Sequence, residues 1–107
     1  MEGNKTKVSN AFEVFAKEAP EHQKAWSAAV QGLGVASKLD DKTAALAYIA
    51  VMAATRLEGG LPFHVGMAKN HGATRDEIIS AVLIGLPAVG NIVTAVLPIA
   101  IDAYDNG

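Results

Sequence analysis

The sequence predicts an all-α domain of about six helices. Three observations carry that expectation. Polar or Pro/Gly breaks recur roughly every 10 to 20 residues, with no alternating strand pattern between them. Half the residues are hydrophobic and 19% are charged, too apolar a balance for disorder. Only 6% are aromatic, few for a β-sandwich. With 107 residues the chain is expected to form a single domain over 1–107, because cores rarely split below about 250 residues.

Each element has a local reason. Val8 to Glu18 sets Val8, Ala11, Phe12 and Phe15 on one face and Glu13, Lys17 and Glu18 on the other, the spacing of a surface helix. Pro20 ends it by pushing Ala19 out of the helical region, then suits the first turn of a second helix running to about Ser37. Gly32 and Gly34 either fray the last turns of that helix or admit a closely packed neighbour. Ser37-Lys38-Leu39-Asp40-Asp41 supplies N-cap candidates for the third helix. No charge occurs from Thr43 to Thr55, so this helix is expected at the centre of the fold, buried on every side. Its many alanines, Ala44, Ala45 and Ala53 among them, let other helices approach, while Leu46, Tyr48, Ile49, Val51 and Met52 fill space.

Glu58-Gly59-Gly60-Leu61-Pro62 reads as a turn whose two glycines can take positive φ, and Pro62 opens a fourth helix with His64 in its first turn. His71-Gly72 closes that helix, and Thr74-Arg75-Asp76-Glu77 has the form of a capping box for the fifth. From Ile78 to Ile101 no residue is charged, a run long enough on paper to cross a bilayer of about 30 Å. Gly85, Pro87, Gly90, Asn91 and Pro98 interrupt it, so two buried helices, roughly 77–86 and 88–104, are expected in place of a membrane span.

Composition narrows the function. The formal charge is -2 and no basic run is long enough to neutralise several phosphates, which argues against a nucleic-acid partner. Without Cys there is no disulfide, no thiolate metal site and no thiol redox chemistry. The polar amino end carries no secretory or transit pattern, so the expected address is cytoplasmic, and Asn4-Lys5-Thr6 is a chance glycosylation match. Three helices apolar nearly all round exceed what one small globule hides, which predicts a stable homo-oligomer with interfaces of roughly 2,000 Å² or more.

Among candidate sites, Gly32 to Ser37 resembles a dinucleotide loop but follows no strand, and no cofactor is expected. His64 and His71 lie about 10.5 Å apart along one helix, too far to share a metal, and no metal is expected. His22 reads as a surface residue and His71 as a cation favoured by its helix C-terminus. His64 is different. Its place after Gly59, Gly60 and Phe63 puts it beside free backbone N–H groups and the positive end of a helix, where anions bind and a neutral imidazole is favoured. Such a ring suits proton transfer at neutral pH. The plain alternative is a packed histidine bonded to a carbonyl. Glu58 is its candidate partner or a solvated turn residue, and Arg56 a carboxylate fork or half of a surface ion pair.

The uncharged third helix, Arg56-Leu57-Glu58-Gly59-Gly60-Leu61-Pro62-Phe63-His64, Gly72-Ala73-Thr74-Arg75-Asp76-Glu77-Ile78 and Val89-Gly90-Asn91 together resemble the carboxymuconolactone decarboxylase family, which includes the alkylhydroperoxidase D-like proteins, over residues 39 to 104. The resemblance implies the same all-α fold assembled as a homotrimer or homohexamer. In the peroxidase branch two Cys precede the His, but their positions here hold Leu57 and Gly60, and the Glu that both branches generally carry is Ala45. His64 alone carries over. Sulfenic-acid chemistry needs a thiolate, so the peroxiredoxin activity attached to the family is not expected of this chain. The decarboxylase branch implies instead a cofactor-free lyase acting on a small lactone or carboxylic acid. There His64 would protonate the enolate-type anion left by CO2, the substrate would be held by Arg56, Gly59, Gly60 and Phe63, and Glu58 would replace the missing acid. The alternatives are a non-catalytic oligomer binding a small acidic metabolite or another protein, and a helper within a larger redox complex. Every functional version requires the imidazole to open onto space that solutes reach.

Overall fold

A computed structural model describes residues 10–107; Asn4-Lys5-Thr6, and Val8 of the first expected helix, lie outside the described residues. The chain divides into two compact units, one up to Leu39 and the other from Asp40 to Gly107. No strand occurs among the described residues.

The first unit pairs α1 (Asn10–Glu18) with α2 (Pro20–Ala36). Ala19 leaves the helical region at φ -136°, ψ 63°, and Pro20 takes the first turn of α2, the steric consequence expected of an X-Pro step. Phe12 and Phe15 meet edge to face with centroids 6.1 Å apart. Neither helix has a buried residue, and Trp26, Val30, Leu33 and Val35 are exposed, Val35 by 82%. A Cβ on Gly32 or Gly34 would meet nothing within 4 Å, so among the described residues no neighbour packs closely there.

The second unit contains α3 (Asp41–Thr55), α4 (Leu61–Asn70), α5 (Arg75–Leu83), the single turn α6 (Leu86–Val89), a 3₁₀ segment Gly90–Val96, and α7 (Leu97–Asn106). Asp40 caps α3 by accepting the Thr43 N–H at 2.7 Å, satisfying a donor that the first turn otherwise leaves free. Thr74 and Glu77 close the expected capping box of α5 from both sides, at 3.1 and 2.9 Å. Gly72, at φ 93°, stops α4 just after its cap residue His71. Ile49, Leu61, Val65, Ile78, Val82, Val93 and Val96 form the centre of the core, and Ala53, Ala68 and Ala100 bring the backbones of α3, α4 and α7 close around it. Among the described residues no polar side chain is buried.

The structure differs from the sequence expectations at three places. The turn after α3 reverses at Arg56, φ 59°, while Gly60 is right-handed at φ -92°. Gly60 serves a different need, since a Cβ there would stand 3.0 Å from Met52 Cε. Next, α3 is central but not buried all round. Ala45, Ile49, Met52 and Ala53 face the core, whereas Tyr48 and Val51 are more than half exposed or close to it, at 50% and 58%.

The last difference is in the long uncharged run, where α5 ends at Leu83 and the helix expected over 88–104 is broken into a turn, a 3₁₀ segment and α7. Pro98 sits in the first turn of α7 and has no N–H for a helix continuing from before it, so the chain restarts there. Arg75–Asn106 has the length and hydropathy of a membrane span, yet its path folds back so that α5 and α7 pack on each other. Gly90 makes that path possible with φ 80°, ψ -168°, a region open to glycine and almost nothing else. Gly90→Ala is expected to cost about 1–3 kcal/mol from backbone strain alone, since open space surrounds the new methyl. Urea unfolding of the variant measures it, and a loss below about 0.5 kcal/mol would show that the turn relaxes without penalty.

Candidate functional site

The site is built by two helices and the turn between them. Pro62, preset at helical φ, places His64 one turn into α4, and the face of α3 bearing Tyr48 and Met52 lies against it. The Tyr48 ring stacks on the His64 imidazole with centroids 4.3 Å apart and planes within 12°. Phe63 meets the same imidazole edge-on at 5.3 Å and 89°. Met52 Cε fills the space beside Gly60, whose missing Cβ would come within 4.0 Å of His64 Cδ2. His64 is half-buried, and among the described residues neither ring nitrogen has a hydrogen-bond partner. Burial, by removing solvent from the charged form, pushes its pKa below the ordinary 6.5, so the ring is neutral at neutral pH.

A model of the carboxymuconolactone decarboxylase family matches residues 20–102. The chain belongs to that family. The match takes in α2 as well as the second unit almost to its end. No curated protein and no solved structure matches the chain significantly.

Within this family member the expected site residues separate into two groups. Phe63 and Gly60 are at the imidazole, but Arg56 and Glu58 are engaged with each other. Arg56 donates from Nε at 2.9 Å and from an Nη at 2.5 Å to one Glu58 oxygen, an exposed pair that the left-handed conformation of Arg56 brings together. Glu58 makes no contact with the His64 ring among those the structure shows. The first-turn donors of α4 are also largely occupied. Leu61 N–H bonds the Glu58 carbonyl at 3.2 Å, Pro62 has no N–H, and His64 N–H bonds the Gly60 carbonyl at 3.3 Å, which leaves Phe63 N–H. Tyr48 is the site residue that sequence reasoning missed. Its signal was the spacing Ala45, Tyr48, Ile49, Met52, one helix face carrying a single polar tip.

Solvent reaches the half-buried imidazole directly. An open groove of about 560 Å³ lies elsewhere, along α7, where Leu97, Pro98 and Ile101 run beside Asp102 and Asp105. Of the other histidines, His22 is exposed and His71 Nδ1 is 3.9 Å from the exposed Asp41 carboxylate.

The lowered pKa has a consequence for stability. Above pH 6.5 His64 is neutral folded and unfolded; as pH falls below 6.5 the unfolded chain takes up the proton first, so stability declines until the folded value is passed. The carboxyls act later in acid. Hydrogen bonds from the Thr43 and Thr74 backbones hold Asp40 and Glu77 below their usual values, and the Arg75 side chain does the same for Asp105, so what they contribute is lost only as pH drops through the acid range. Urea midpoints measured from about pH 7 to 5 are expected to fall more for the wild type than for His64→Gln. Parallel curves would mean that burial does not perturb the ring.

Proposed function

We propose that this chain is a cofactor-free lyase that decarboxylates a small lactone or carboxylic acid, with His64 carrying the proton. The observation that supports this most is the state of His64: neutral, half-buried among aromatic rings, open to solvent, and, among the described residues, with no hydrogen bond on either ring nitrogen. At neutral pH the substrate arrives as its carboxylate, and the imidazole takes up a proton from solvent as that negative charge binds beside it. The C–C bond to the carboxylate then breaks, CO2 leaves, and the electron pair is delocalised as an enolate-type anion. The imidazolium delivers the proton to carbon, so the carboxylate and one proton become the decarboxylated product plus CO2, and His64 is neutral again. Phe63 N–H is the remaining first-turn donor for the developing oxyanion. The test is CO2 release from muconolactone-type acids by the purified protein, and no release across a panel of such acids would end this reading.

A non-catalytic oligomer that binds a small acidic metabolite is the second reading, and one observation favours it: Glu58 is held by Arg56 and not by His64, so Glu58 does not assist the imidazole. Thermal shift with no CO2 release would support it. In either reading the chain assembles with itself, as a homotrimer or homohexamer. The exposed Tyr48, Val51, Leu57, Phe63 and Met67, together with the uncovered apolar side of α2, are the surfaces that assembly would bury. Light scattering at micromolar concentration should give at least a trimer, and a monomer would contradict it.

A further inference from the structure

We infer that Tyr48 is a positioning residue for His64: its ring, laid flat on the imidazole, closes one face of the histidine and fixes the plane in which the nitrogens meet an incoming molecule. The inference rests on the reading of His64 as the proton carrier and goes beyond it to the residue that orients that carrier.

A proton-carrying histidine is ordinarily oriented by a hydrogen bond to its second nitrogen, which selects the tautomer and stops the ring turning. No such bond exists here among the described residues. What holds the ring is aromatic contact from two directions: Tyr48 from α3 at 4.3 Å and 12°, and Phe63 edge-on at 5.3 Å and 89°. The stack is a long-range contact, made only because α3 and α4 pack together, and it covers the imidazole while leaving its nitrogens unused.

Other charges do not account for the state of the ring. On α3, Lys42 pairs with Glu77 and Asp41 stands near His71. On α7, Asp105 pairs with Arg75, Tyr104 lies under Lys69, and Asp102 accepts from Asn106. In the turn before α4, Arg56 and Glu58 hold each other. Burial alone depresses His64, and Tyr48 is part of that burial.

The experiment is a ring-proton and ring-nitrogen NMR titration of the full chain as wild type, Tyr48→Phe and Tyr48→Leu. Tyr48→Phe keeps the stack and is expected to keep the wild-type His64 midpoint and its ring-current-shifted protons. Tyr48→Leu is expected to lose the ring-current shift, to raise the midpoint toward that of free histidine, and to leave His22 and His71 unmoved. His64 protons and midpoint that do not move in Tyr48→Leu, or a midpoint that falls, overturn the inference. Because the readout needs no substrate, the two ideas fail separately. Absence of CO2 release removes the lyase reading while the titration still decides whether Tyr48 holds the ring; release with an unmoved titration removes Tyr48 alone.

Discussion

His64→Gln is expected to lower the rate of CO2 release by about 10²–10⁴, the range by which a positioned proton carrier accelerates such steps. Glutamine retains a polar tip of similar reach but takes up no proton, so it cannot deliver one to carbon. The variant should fold, because the ring is half-buried and, among the described residues, gives up no hydrogen bond when it is replaced. The pH profile sharpens the expectation. The ring must carry a proton to deliver one, so kcat/KM should be highest below the depressed value of His64 and fall as pH rises through neutral. That dependence on pH should vanish in the variant's residual rate. Undiminished release by His64→Gln would take the imidazole out of the mechanism altogether.

What could be read from the sequence was what local chemistry determines. Pro20 and Pro62 mark helix starts because a fixed φ and a missing N–H leave little choice, and Asp40, Thr74 with Glu77, and Gly72 mark ends because each answers an unpaired backbone group within four residues. His64 stood out for the same reason. The turn at Arg56 was hidden, since two glycines close by were better candidates for a left-handed residue than an arginine, and with it went the Arg56–Glu58 pair that this conformation creates. The break at Gly90–Val96 was also hidden, because an apolar run does not say whether successive turns are α or 3₁₀. The exposed side of α3 was misread as buried, since an uncharged face is equally suited to a core and to a surface that meets another subunit. Tyr48 on His64 joins residues of different helices: the spacing on α3 marks Tyr48 as the polar tip of one helix face, but nothing within either helix names His64 as its partner.

The same helix carries the largest expected stability effect. Ile49→Ala should destabilise the second unit by about 2–5 kcal/mol, and Ile49→Val by about 0.5–1.5. Ile49 is fully buried on the inner face of α3, where α4, α5 and the 3₁₀ segment all pack, so the space left by the lost carbons is walled from several sides and collapses poorly. Small domains have total stabilities of only about 5–15 kcal/mol, so the larger substitution removes a sizeable part of the whole. The measurement is urea unfolding at one fixed protomer concentration, because an assembling chain gains apparent stability with concentration. A loss under 1 kcal/mol for Ile49→Ala would mean that α3 is not the centre of this core. The variant also bears on the site, since Tyr48 precedes Ile49 on α3: a loosened helix should move the stack on His64 even though no atom of the site has been changed.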